Sequence, residues 1–162
     1  YQPEFIEALL TCCKEEGIHT TIDTSGFVNT DKIKNVLDVT DLILLDLKSL
    51  DAKKHKELTD VDSQRILEFA RRMSEIGQPM WIRHVLVPEI TDNDNDLHKL
   101  GQFVSELETV ECLEILPFHK MGEFKWEELG LDYKLKDTRP PPRSRVENAV
   151  NILSSYGLTV KD

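Results

Sequence analysis

The chain has 162 residues, 40% of them hydrophobic, and its 30 acidic against 20 basic side chains give a formal charge of -10. That size and composition suit one domain with a sizeable core, and the negative balance argues against a phosphate-backbone partner such as nucleic acid. No apolar run approaches the roughly 20 residues of a membrane span, and "YQPEFIEALL" lacks the positive end and apolar centre of a signal peptide, so the expectation is a cytoplasmic protein without a membrane partner.

The predicted elements alternate helix and strand. "PEFIEALLTCCKEEG" reads as a helix with Pro3 in its first turn and Gly17 as a stop. Its Cys12 and Cys13 fall on an apolar face with Phe5, Ile6, Leu9 and Leu10 and are expected to be core thiols. "IHTTIDTSG" is β-branched and closes on Ser25-Gly26, a strand entering a loop. After a short helix around "DKIKNVLDV", the run "DLILLDL" predicts a second strand, aliphatic enough to suggest a parallel sheet covered on both sides. "SQRILEFARRMSEIG" predicts a helix with Ser63 as N-cap, Ile66, Ala70 and Met73 inward and Gly77 at its end.

"PMWIRHVLVPE" is a third strand ended by Pro88, and "LHKLGQFVSELE" a helix with Leu97, Leu100, Val104 and Leu107 inward. "ECLEILPFH" makes a fourth strand, which Pro117 ends just before His119. The stretch "KMGEFKWEELGLDYKLKDTRPPP" is irregular, and "RSRVENAVNILSSYG" forms a last amphipathic helix before the apolar tail "LTV". Parallel strands with helices between them mean an α/β fold, either an open doubly wound sheet or an incomplete (β/α) barrel. No GxGxxG or GxxxxGK loop follows any strand, and a full eight-unit barrel needs about 250 residues, so the incomplete barrel is expected.

In such folds ligands bind where the strands end. The strand ends carry Asp23 and Thr24, then Asp46 and Lys48, then Arg83 with His84 beside it, then His119. Asp46 and Lys48, two residues apart, share one strand face, and burying both without compensation is costly. Carboxylates suit hydroxyls or an ammonium, while Lys48 and Arg83 suit a carboxylate or phosphate, so the mixture fits a zwitterionic, ribose-bearing ligand. The residues alone also leave open a βα lyase or isomerase using Lys48 as a Schiff-base amine, and a non-catalytic protein-binding module.

The segments "IDTSG", "DLILLDLK", "WIRHVLVP" and "LEILPFHKMGEFKWEELGLDY" resemble, in order, those of the glycyl-radical-enzyme activating proteins of the radical S-adenosylmethionine superfamily. That resemblance implies a partial TIM-like barrel in which Asp23, Thr24, Asp46, Lys48, Arg83, Val85 and His119 line the S-adenosylmethionine site. Lys48 and Arg83 would meet the ligand carboxylate or the partner backbone, Asp46 and His119 the ribose or amino group, and Val85 the adenosyl part. The activity it implies is formation of a 5'-deoxyadenosyl radical that takes hydrogen from a glycine of a partner such as pyruvate formate-lyase, with electrons from a reductant such as flavodoxin. The family's CxxxCxxC motif for its [4Fe-4S] cluster and its Gly-Gly-Glu element are not in this sequence, and Cys12, Cys13 and Cys112 have the wrong spacing to replace the cluster ligands. Residues 1–162 are therefore expected to be the C-terminal portion of such a barrel, without the cluster-binding portion and inactive alone.

Overall fold

The computed structural model describes residues 2–162. The strands β1 (Thr21–Thr24), β2 (Leu42–Asp46), β3 (Met80–Leu86), β4 (Val110–Pro117) and β5 (Val160–Lys161) form a single sheet in the order β1-β2-β3-β4-β5. Every adjacent pair is parallel. Between and around them run α1 (Pro3–Glu15), α2 (Lys34–Asp38), α3 (Ala52–Thr59), α4 (Gln64–Glu75), α5 (Asp94–Ser105), α6 (Glu123–Glu128) and α7 (Arg143–Ser154). The strand order never reverses. With right-handed crossovers this stacks the connecting helices on one face of the sheet, the progression of an open, barrel-like α/β fold and not of a doubly wound one.

Side-chain alternation makes this asymmetry visible. Along β2, Ile43, Leu45 and the following Leu47 are buried, whereas Leu42 and Leu44 are half-buried. Along β3, Met80, Ile82, His84 and Leu86 are buried and Trp81, Arg83 and Val85 are not. The buried rows meet Ile66, Phe69, Ala70 and Met73 of α4, Leu97, Leu100 and Val104 of α5, and Val146, Ala149 and Leu153 of α7 in one continuous core. Each of the larger aliphatic and aromatic side chains among them contributes about 1.5–3 kcal/mol of burial free energy. The aliphatic run of β2 is thus covered on one side only, contrary to the two-sided covering expected from its composition. Leu42 and Leu44 face the side that holds Asp23, Asp46 and Arg83.

Two glycines are fixed by the packing. Gly26 leaves β1 at φ +71°, and a Cβ there would lie 2.9 Å from Leu45 Cδ1 and 3.0 Å from Phe69 Cδ1; only glycine suits both that angle and that space. Gly101 sits inside α5, where a Cβ would meet Tyr156 Cδ2 at 2.5 Å.

The inward sets predicted for α4 and α5 are buried, Leu107 just beyond α5 included, and in α7 Val146, Ala149 and Leu153 are, with Val150 half-buried. α1 differs. None of its residues is buried, Phe5 and Leu9 are 61% and 47% exposed, Cys12 is exposed and Cys13 only half-buried. The core-thiol expectation fails because α1 packs chiefly on the short α2 and stays outside the central core. It is anchored there by Lys14 to Asp41 and by Asn35 Nδ2 donating to Glu7 Oε2 at 3.3 Å. Ser63 precedes α4 but gives no side-chain cap; Asp62 Oδ1 instead accepts from Gln64 N at 2.7 Å. Three elements escaped the sequence pattern: α3, α6 and the two-residue β5.

Candidate ligand face at the carboxyl ends of the strands

Parallel pairing brings the charged strand ends together. Asp46 lies directly opposite Arg83, and Asp23 opposite Leu44, one same-face position earlier on β2. Arg83 therefore spans two carboxylates. Its Nε donates to Asp46 Oδ1 at 3.0 Å, and its Nη2 lies 2.9 Å from that oxygen and donates to Asp23 Oδ1 at 2.5 Å. Lys48 Nζ completes the chain by donating to Asp46 Oδ2 at 2.9 Å. Four residues carried by β1, β2 with its exit, and β3 thus form one network of two cations and two anions. It is partly desolvated, with side-chain exposures of 17% for Arg83 and 21% for Asp46, against 61% for Asp23. Burial disfavours the Arg83 cation most strongly, but Asp46 and Asp23 together outweigh it and hold its pKa above the usual value.

The remaining candidates divide. Val85 is half-buried on the same face as Arg83, two residues further along β3. Thr24 has the opposite parity and its Oγ1 accepts from Gly26 N at 3.0 Å, so its side chain orders the turn after β1. His119 is exposed, and its Nδ1 accepts from Met121 N at 3.3 Å. Among the described residues no hydrogen bond or ion pair joins Thr24 or His119 to the Asp23–Arg83–Asp46–Lys48 network. His84, next to Arg83 in sequence, points to the helix-covered side. It is 5% exposed, with Nδ1 2.8 Å from Leu47 O and Nε2 3.1 Å from Thr91 O. Burial pushes its pKa down, against the two carbonyl acceptors that favour the charged form.

The chemistry left over defines what the face can bind. Both Asp46 oxygens are occupied. Lys48 keeps two of its three donors and Arg83 keeps its Nη1 hydrogens, which suit a carboxylate; Asp23, mostly exposed, keeps Oδ2 for an ammonium or hydroxyl. Lys48, 35% exposed and paired with Asp46, is not enclosed in the apolar pocket that a Schiff-base amine uses, so the arrangement does not favour lyase chemistry. Beyond β4, the irregular segment exposes Met121, Phe124, Trp126 and Leu129, with the Trp126 and Tyr133 rings 5.7 Å apart. The cysteines do not assemble. Cys12 and Cys13 lie on α1, Cys112 is buried in β4 with its pKa raised by burial, and among the described residues no three His, Cys, Asp or Glu side chains gather as a metal site. The residues present therefore do not fit a [4Fe-4S] cluster. No helix among the described residues is long and apolar enough to cross a membrane.

A parallel βα sheet with one helix-covered face and a charged network at the carboxyl ends of its strands defines an open, barrel-like α/β protein with polar groups where such folds carry their sites. More narrowly, the profile of the radical SAM superfamily matches residues 1–101, and the chain belongs to that superfamily. It is 49% identical over 158 residues to a pyruvate formate-lyase-activating enzyme of Streptococcus mutans, covering 94% of this chain and 60% of that protein. To pyruvate formate-lyase 1-activating enzyme of Escherichia coli K12 it is 41% identical over 158 residues, covering 96% of this chain and 64% of that protein. The chain thus spans 60% and 64% of the lengths of these two relatives. Among solved structures, a domain of pyruvate-formate lyase-activating enzyme from Bacteroides vulgatus superposes with a TM-score of 0.83 at 26% identity, over 99% of this chain and 90% of that one. Streptococcus suis SuiB bound to S-adenosylmethionine shares the fold, with a TM-score of 0.69 at 20% identity over 96% of this chain and 33% of that one.

Proposed function

We propose that this chain supplies the S-adenosylmethionine-binding sheet face of an activating enzyme that installs a glycyl radical in pyruvate formate-lyase or a related partner in the cytoplasm. The observation that carries this reading is Arg83 bridging Asp23 and Asp46, with Lys48 on the second oxygen of Asp46, at the ends of three adjacent strands. In this reading Lys48 and Arg83 hold the ligand carboxylate, Asp23 takes the ammonium or a ribose hydroxyl, and Val85 gives the adenosyl part an apolar contact. Thr24 shapes the turn behind them, and His119 closes on the ligand or the partner from the loop after β4. When bound, S-adenosylmethionine supplies the homolytic chemistry; the protein residues bind it, orient it and keep water away.

Residues 1–162 form, in this proposal, the later portion of a partial barrel whose cluster-binding portion lies outside this sequence. The electron then comes from a reductant such as flavodoxin by way of that other portion. The exposed aromatic segment at Phe124 and Trp126, which follows the carboxyl end of β4, offers the glycine-bearing partner a contact surface. Paramagnetic resonance of pyruvate formate-lyase tests the activity. The enzyme carrying both portions, supplied with iron, sulfide, S-adenosylmethionine and reductant, is expected to give a glycyl-radical signal, while the 162-residue chain alone takes up no iron and gives none. A signal from the chain alone contradicts the division of labour, and no signal from the complete enzyme contradicts the function.

A further inference from the structure

His84 is out of place in its row. The buried side of β3 reads Met80, Ile82, His84, Leu86, and an imidazole among aliphatic side chains needs partners for its nitrogens. It finds two backbone carbonyls from separate loops: Leu47 O at the exit of β2 and Thr91 O in the loop before α5. The first of these lies on the backbone that carries the ligand face.

Leu47 lies between Asp46 and Lys48. Its N–H donates to Arg83 O at 3.0 Å, its carbonyl faces His84 Nδ1 at 2.8 Å, and its side chain is 2% exposed. With N–H, carbonyl and side chain all held, the peptide planes on either side of Leu47 cannot rotate. Asp46 and Lys48 then stay on one face at the 2.9 Å separation of their ion pair. Thr91 makes the matching clasp on β3. Its hydroxyl donates to Val85 O at 2.6 Å and accepts from Val87 N at 2.8 Å, while its carbonyl faces His84 Nε2 at 3.1 Å. The buried ring thus lies between the two loops, and the residues that flank Leu47 and His84 are Asp46, Lys48, Arg83 and Val85.

We infer that His84 is a positioning residue: from behind the sheet its Nδ1–H holds the Leu47 carbonyl so that Asp46 and Lys48, on either side of Leu47, stay aimed with Arg83 at a shared ligand. The inference rests on the reading of that face as the S-adenosylmethionine site, and it reaches the ligand only through other residues. The shorter contact assigns the single proton of a neutral ring to Nδ1, donating to Leu47 O.

Hydrogen exchange followed by NMR on the 162-residue chain tests the tether. His84→Phe keeps a planar ring and removes both nitrogens, whereas His84→Asn keeps a donor near the Nδ1 position. The expected result is exchange of the Leu47 amide at least tenfold faster in His84→Phe, with the Leu113 amide, bonded to Thr159 O at 2.9 Å, unchanged. In His84→Asn the Leu47 amide regains its protection. Unchanged Leu47 exchange overturns the inference, and so does acceleration of Leu113 by the same factor, since His84 is then core filling only. If His84→Phe fails to fold, long-range nitrogen correlations of the unsubstituted chain decide: a proton on Nδ1 supports the tether, and its absence overturns it.

The ligand side has its own readout. Titration with S-adenosylmethionine, followed by amide shifts, is expected to show at least fivefold weaker binding in His84→Phe and recovery in His84→Asn. Faster Leu47 exchange with unchanged affinity overturns the positioning role. Absence of any shift at Asp46, Lys48 and Arg83 in the unsubstituted chain overturns the ligand reading itself while the tether stands.

Discussion

The two faces of the same five strands obey opposite rules. On the helix-covered face Ile43, Leu45, Ile82, Leu113 and Ile115 are fully buried, and the face holds by area. On the other, neighbours one residue away carry Asp23, Asp46, Arg83 and Glu114, and that face is organised by charge and donor geometry. Since strand side chains alternate, a single-residue step moves a side chain from the packed core to the charged face. Stability and ligand affinity should therefore separate cleanly between adjacent positions.

The sharpest break is expected at Ile82→Ala, which empties the centre of the covered face and should cost about 2–5 kcal/mol in denaturant unfolding. Next comes Gly26→Ala. It forces a Cβ into Leu45 and Phe69 at φ +71° and should cost about 2 kcal/mol, read as a lower Tm. Arg83→Gln, one residue from Ile82, should cost less stability than Ile82→Ala, because Lys48 still pairs with Asp46, but lower S-adenosylmethionine affinity at least tenfold, or about 1.4 kcal/mol. If Ile82→Ala and Arg83→Gln move stability and affinity together, the division between the faces fails.

The smallest effects are in pH. Burial holds the His84 pKa down, so as pH falls below 6.5 the unfolded chain takes up that proton first. The stability due to neutral His84 is complete above 6.5 and is lost as pH falls through its folded pKa. Asp41 follows at lower pH. Its hydrogen bond from Lys14 and then that from the Thr20 amide hold its carboxyl well below the usual range, so its contribution is complete above 3.8 and is lost in stronger acid. Tm measured against pH should show both windows, and His84→Asn and Asp41→Asn should each remove one.

Much of this was legible in the sequence. The aliphatic run of β2 with Asp46 and Lys48 two residues apart gave the strand, its face and its exit, and the inward sets of α4 and α5 followed from helical spacing. What was not legible depended on partners distant in sequence. Nothing in "DLILL" distinguishes a strand buried on both sides from one buried on a single side; the unreversed strand order decides it. The exposure of Cys12 is equally invisible, because an apolar helix face looks the same whether or not anything lies against it. α3, "AKKHKELT", lacks an apolar stripe and owes its N-terminus to Asp51 Oδ1 accepting from Lys54 N at 2.8 Å. Asp46 was readable as a site residue, but that both its oxygens are already taken required the register between β2 and β3. His84, read beside Arg83 at the strand end, belongs to the even, buried positions of β3, a parity that the sequence of that strand already carried.

The central claim is that Asp23, Asp46, Lys48 and Arg83 serve one small molecule. Chemical-shift mapping of S-adenosylmethionine on this chain tests it most directly. The account predicts saturable shifts centred on those four residues and Val85, with the Ile82 and Leu113 amides nearly still. Shifts spread over the helices, or none at any concentration the ligand allows, contradict it.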